Sequence, residues 1–205
     1  MKTREKILVA ARELFAKDGF EAVSVRDVTT AADVNLASIN YHFGNKQGLI
    51  QEIVREVLVP MNKQRVLLLK EAGDRCESLE NVELRDVIEA YVRPMVFPEE
   101  YGGSTEMLAR LTARYLIDRN YDVPPKVMES FGDVFKIFII AINAQCPGLE
   151  PIKALEKLVF AAGAVFMYSS FAGLASKAFG SEVDPNPEKA FSDAVLFCEA
   201  GFRVY

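Results

Sequence analysis

One histidine, His42, and three cysteines, Cys76, Cys146 and Cys198, bound the chemistry this chain can perform. A structural zinc site takes four closely spaced Cys or His ligands, and these residues are too scattered to supply one. No metal and no cofactor is therefore expected. Acyl-transfer catalysis would leave His42 to serve alone, without a matching nucleophile and carboxylate, so no catalytic residue is assigned and no enzyme is expected. The informative side chains crowd between Ser24 and Lys46. Asn40 can pair bidentately with adenine, Ser38 can meet several base edges, and Ala37 can touch a thymine methyl. Tyr41, His42 and Lys46 suit phosphate oxygens, and Arg26 suits either a phosphate or a base edge. Ser24 and Asn35, where two short helices should open, complete the candidate DNA-facing set. Backbone amides opening helices at Val25 and Lys46 add fixed positive ends that bind phosphate without basic side chains.

Such a set works only if helices hold it in register. Ile7, Leu8, Ala11, Leu14 and Phe15 trace one face of a first helix. Gly19 supplies its left-handed stop, and Phe20 folds back on its last turn. The spacing of Ser24 and Asp27 is that of a capping box opening a second, short helix with Val25, Val28 and Ala32 inward. Asp33 tolerates the left-handed turn, and Asn35 caps a third helix with Leu36, Ile39 and Phe43 inward. Asn45 caps a fourth helix carrying Leu49, Ile50, Ile53, Val57 and Leu58. Pro60 should kink or interrupt it before Met61 to Glu71 resume. Two short helices joined by a tight turn and braced on both sides have helix-turn-helix geometry, in which the second enters a major groove.

The rest of the chain also reads as helix. Leu84 to Val96 turns Leu84, Val87, Ile88 and Tyr91 inward, and Glu99 to Gly103 is a loop. Ser104 opens a helix bearing Met107, Leu108, Leu111 and Tyr115. Pro124 and Pro125 start another, with Phe131, Phe135, Phe138 and Ile142. A turn at Cys146–Pro151 leads to a long apolar helix from about Ile152 to Phe179. Asn186 and Pro187 open the last helix. The fold class is thus all-α, with about nine helices. A helix-turn-helix head, residues 1–48, precedes a larger helical body, residues 49–205.

The net charge is −5, unfavourable for phosphate binding overall, but it is unevenly spread. Residues 1–55 hold eight Lys/Arg and seven Asp/Glu, so the acidic excess lies in the body. Lys2, Arg4 and Lys6 can reach the DNA backbone or remain solvated. An odd cysteine count without a CxxC pair suits a reducing, cytoplasmic setting. From Leu158 to Ser176 no residue is charged, close to the ~20 residues that span a bilayer. A buried helix is the preferred reading, so no membrane partner is expected. A helical adaptor or membrane-associated protein remains the competing class.

The segment FEAVSVRDVTTAADV (residues 20–34), followed by NLASINYHFGNK (residues 35–46), resembles the head of TetR-family transcriptional regulators. The Tyr41-His42-Phe43…Lys46 string and the preceding Gly19-Phe20 are the specific parts. Asp33 stands where that family usually has Gly. The stretch from Asn35 to Phe43 also resembles a branch sensing fatty acids or their thioesters. The resemblance implies a homodimeric repressor on a near-palindromic operator of double-stranded DNA, released by a small molecule. A regulator of this kind without a small-molecule switch is the alternative.

In the body, an effector that is fatty-acid-like or aromatic would meet the polar tips in apolar runs, Tyr115, Asn143 and Tyr168. The aromatic stripe Phe131, Phe135 and Phe138 is either core packing or a wall of the effector pocket. Glu106, Arg110 and Arg114 share a helical face, either as a surface ion-pair ladder or with Arg110 and Arg114 reading a ligand carboxylate. The two C-terminal helices are too apolar for a monomer surface. Residues 152–205 are therefore expected to form a four-helix homodimer interface, with Val165, Phe166, Phe171, Phe191, Leu196 and Phe197 in its core.

Overall fold

A computed structural model describes residues 2–101, 123–180 and 186–204. Among the described residues it holds eight α-helices, two short 3-10 turns and no strand. In chain order the helices are α1 (Thr3–Asp18), α2 (Val25–Ala32), α3 (Leu36–Phe43), α4 (Lys46–Arg75), α5 (Leu84–Val96), α6 (Pro125–Gln145), α7 (Pro151–Phe179) and α8 (Pro187–Arg203). The helix expected from Ser104, with Arg110, Arg114 and Tyr115, lies outside the described residues, as does the side chain of Phe171. The chain divides into two compact units, residues 1–59 with 106–128 and residues 60–105 with 129–205.

In the first unit, α1 packs against α2 and α3. Ile7, Leu8, Ala11 and Phe15 of α1 are buried with Val28, Ala32 and Ile39, and Leu49, Ile50 and Ile53 of α4 extend this core. Gly19 ends α1 at φ 86° and ψ 167°, positive but outside the left-handed helical well, and its N–H donates to the Phe15 carbonyl. Phe20 returns onto Phe15, the rings meeting edge-on at 5.3 Å. Two expectations change. Leu36, expected inward, is 47% exposed, because it opens α3 beside the cleft described below. Pro60 does not interrupt α4, which runs from Lys46 to Arg75 with the proline inside it. One missing amide donor is tolerated because buried side chains flank the site on both sides, Leu58 before it and Met61 and Asn62 after it.

In the second unit, α5 packs against α7 and α8, and α7 against α8. Val87, Ile88, Tyr91 and Val92 of α5 are buried together with Val134, Phe138 and Ile142 of α6. Val165 and Phe191, expected in a dimer interface, are buried within the protomer instead. Phe191 packs on Phe97 at 5.5 Å, and the Arg93 guanidinium lies over both rings. Lys157 of α7 donates from Nζ to the Gly201 and Val204 carbonyls at 2.6 and 2.7 Å, satisfying acceptors at the end of α8. Among the described residues, no helix is long and apolar enough to cross a membrane.

Candidate nucleic-acid interface

The two short helices are set by their caps. Ser24 Oγ accepts from the Asp27 N–H at 3.2 Å, and the Ser24 N–H donates back to Asp27 Oδ2 at 2.7 Å. The Ser24 hydroxyl also donates to that oxygen at 2.7 Å, and with the backbone bond it holds the Asp27 carboxyl below its ordinary value. Asp33 closes α2 in the left-handed region at φ 52° and ψ 56°. Asn35 then caps α3: its Oδ1 accepts from the Ser38 N–H at 3.0 Å and the Ser38 hydroxyl at 3.1 Å. Asn45 repeats the device for α4, accepting from the Gly48 N–H at 2.9 Å.

These caps bring three elements to one place. An open cleft of about 410 Å³ is lined by Ser24 and Arg26 at the start of α2, Leu36 and Asn40 of α3, and Asn45 and Lys46 at the start of α4. Two helix N-termini, at Val25 and Lys46, therefore share a cleft with an arginine, a lysine and two carboxamides, Asn40 and Asn45. That arrangement suits phosphate oxygens and a base edge together. Tyr41 is 85% exposed at the other end of α3, its ring edge-on to His42 at 5.0 Å. Ala37 and Asn40 are exposed, and His42 is half-buried.

The candidate residues do not all stay available. Asn35 Oδ1 and the Ser38 hydroxyl are bonded to one another, and Ser38 is half-buried. Lys46 Nζ reaches the Glu21 carbonyl at 3.4 Å, a long contact that phosphate can displace. Arg4 is exposed but already partnered: it pairs with Glu52, lies 3.7 Å from Glu56, and covers the Phe43 ring at 5.6 Å. Arg12 also pairs with Glu56, and Arg55 with Glu52 at 2.7 Å. Chiefly through its bond from Arg55, Glu52 is held below the ordinary carboxylate range. This ion cluster ties α1 to α4 and supports α3 from behind.

Sequence reasoning missed three members of this site: Leu36 and Asn45 as cleft walls, and Gly48 as the residue that lets α3 and α4 meet. A Cβ on Gly48 would lie 2.0 Å from the Phe43 carbonyl oxygen. The signal was present, since glycine in the first turn of a helix costs stability and implies a close approach.

Of the residues expected to meet an effector, Phe131 and Phe135 are half-buried and stacked at 5.9 Å. Phe138 is buried edge-on to Tyr91 at 5.4 Å. Asn143 Oδ1 is buried without a hydrogen-bond partner, and Tyr168 is exposed on α7. Among the described residues, no group of three or more His, Cys, Asp and Glu side chains could hold a metal ion. Cys146 and Cys198 are buried thiols, and burial pushes Cys198 up to about 11, away from thiolate reactivity.

Residues 7–53 match a family model described as bacterial regulatory proteins, tetR family. Residues 89–201 match a second model, tetracyclin repressor-like, C-terminal domain. The "Probable HTH-type transcriptional regulator YttP" of Bacillus subtilis (strain 168) is 43% identical over 56 residues, 27% of either chain. The HTH-type transcriptional repressor NicS of Pseudomonas putida is 30% identical over 78 residues, 38% of this chain and 37% of its own. The matched stretches thus span little more than a third of those relatives' lengths at most. Among solved structures, a regulatory protein in the tetR family from Rhodococcus RHA1 superposes with a TM-score of 0.67 at 18% identity, covering 98% of this chain and 96% of that one. A TetR family transcription regulator from Marinobacter aquaeolei VT8 reaches 0.66 at 14% identity, covering 97% and 94%. At these identities the likeness is one of fold.

Proposed function

Because the chain belongs to the TetR family of bacterial regulatory proteins, we propose that it is a homodimeric, sequence-specific DNA-binding repressor, released from a near-palindromic operator by a small, largely apolar molecule. The observation that carries the DNA half is the cleft joining Arg26, Asn40 and Lys46 to two helix N-termini. Its positive character is local, which answers the acidic charge of the whole chain: fixed amide dipoles and two basic side chains suffice where a phosphate sits. Asn40 reads a base, while Tyr41, His42 and Lys46 hold phosphates. DNA binding belongs to residues 1–48, ligand binding and dimerisation to residues 49–205, and the protein acts in the cytoplasm.

The dimer half rests on α7 and α8. Phe160 and Phe197 are 71% and 69% exposed and line one groove of about 390 Å³ with Ala161 and Phe202. Val159, Met167 and Leu196 add exposed apolar surface on the same two helices. A second copy covers this face, and pairing two heads doubles the phosphate contacts and spaces the two α3 helices for successive major grooves. The effector half requires that ligand favour the DNA-free arrangement by ~1–3 kcal/mol, an ordinary coupling free energy. Selecting duplexes from a random pool with purified full-length protein tests the reading. A near-palindromic consensus is expected, and no enrichment at low salt would overturn it.

A further inference from the structure

Arg65, on α4 within the second unit, is 1% exposed, the largest fully buried side chain among the described residues. Its Nε donates to the Tyr91 carbonyl at 2.9 Å and its Nη1 to Asn62 Oδ1 at 2.9 Å. The guanidinium lies over the Tyr91 ring at 4.0 Å. Asn62 is itself buried and donates through Nδ2 to Ser130 Oγ at 3.0 Å, which fixes its carboxamide with the oxygen toward Arg65. Every one of these partners is electrically neutral. Arg65 makes no ion pair among the described residues, and its Nη2 is buried without any hydrogen-bond partner.

A guanidinium stays charged at any ordinary pH, and taking it out of water is costly unless an opposite charge meets it. Neutral carbonyls and one ring face recover part of that cost, and they leave a donor edge unused. A hydrogen-bonded asparagine and a backbone carbonyl hold the fork in one orientation, as a recognition group must be held. Burial pulls the guanidinium below its usual value, as it does for a charge lacking a counter-ion.

We propose that Arg65 reads the anionic end of the effector, and that this effector is a small carboxylate whose apolar body lies against protein hydrocarbon. The assignment rests on the reading of the second unit as the effector domain and names the class of molecule it takes. Nη2 supplies one donor to the carboxylate in the plane of the guanidinium, while the Tyr91 ring covers one face of that plane.

The test uses full-length protein without DNA and two matched pairs of probes, octanoate with octanol and benzoate with benzyl alcohol, at sub-micellar concentrations. At about 100 times its Kd, at least one acid should raise Tm by roughly 5 °C, with no comparable rise from its alcohol. R65M should abolish that rise. R65K, which keeps the charge but loses the planar fork, should weaken the apparent affinity at least tenfold. If either variant fails to fold, the wild-type comparison of acid with alcohol decides. Equal shifts from acid and alcohol, or no shift from either acid, would overturn the assignment and leave Nη2 to a buried water. Operator release by a neutral compound, measured separately, would then still uphold an effector-controlled repressor.

Discussion

Gly48 crosses the Phe43 carbonyl so closely that no side chain fits between α3 and α4: a methyl on its Cα would stand 2.0 Å from that oxygen. On helix propensity alone, alanine should stabilise the first turn of α4 by ~1 kcal/mol. The backbone collision outweighs this gain, because neither a carbonyl oxygen nor a helix start can move aside as a flexible side chain can. Gly48→Ala should therefore cost at least about 2 kcal/mol, the range of overpacked sites, and should weaken operator binding by shifting α3. Urea denaturation of the full chain checks the first effect and a fluorescent duplex titration the second. A stabilised variant with normal DNA affinity would contradict the close approach.

Acid should loosen the tie between α1 and α4 in a window set by Glu52. Its carboxyl is held below the ordinary carboxylate range in the folded chain, mainly because Arg55 donates to it. A depressed carboxylate contributes stability above its unfolded value and loses it as pH falls through the folded one. The stability difference between wild type and Glu52→Gln should thus be full near neutral pH and shrink below about pH 4.5. Thermal melts of both proteins across pH 3.5–7 provide the comparison. A pH-independent difference would show that packing, not charge, is what the substitution removes.

Positioning and reading should separate by mutation. Lys46 at the mouth of α4 is proposed to meet phosphate, so Lys46→Ala should weaken binding on all duplexes alike and reduce the salt slope by about 1. Asn40, exposed beside it, is proposed to read a base, so Asn40→Ala should relax preference at one position of each half-site, at ~1–3 kcal/mol. Titrations against the consensus and single-base variants, each at two salt concentrations, distinguish the patterns. Identical behaviour of the two variants would rule out this division of roles.

Burial of Phe160 and Phe197 against a second copy should contribute roughly 2 kcal/mol per ring. Phe197→Asp places a charge in that face and should shift the protein toward monomer in sedimentation velocity. The fold should survive, since Phe197 is 69% exposed within one protomer. Operator affinity should fall with dimerisation, because the heads then bind singly. A dimer of undiminished stability would move the interface elsewhere.

The head was largely legible from residue order because its signals are local. Caps at Ser24, Asn35 and Asn45, the left-handed Asp33 and the return of Phe20 onto Phe15 each depend on neighbours a few positions away. The body was legible in element type but less so in partner choice. Val165 and Leu196 both read as apolar positions on apolar helices, yet one is buried within the protomer and the other is 50% exposed. Hydrophobic spacing identifies an inward face without saying whether a neighbouring helix or a second copy covers it. Arg65 was not legible at all. In the sequence it is one charge on a long helix, with nothing nearby to distinguish it from a solvated one.

Residue order alone determined the helical fold, the turn between α2 and α3, and the polar set that faces outward, since propensity, caps and periodicity act within a few residues. Tertiary structure alone decided that α2, α3 and α4 open onto one cleft and that Gly48 admits only hydrogen. It also decided that Asn62 and Tyr91 enclose a guanidinium that meets no counter-charge among the described residues. These depend on residues distant in the chain arriving together. What they cost or contribute is set by the dielectric and the space where they meet, which no local pattern encodes.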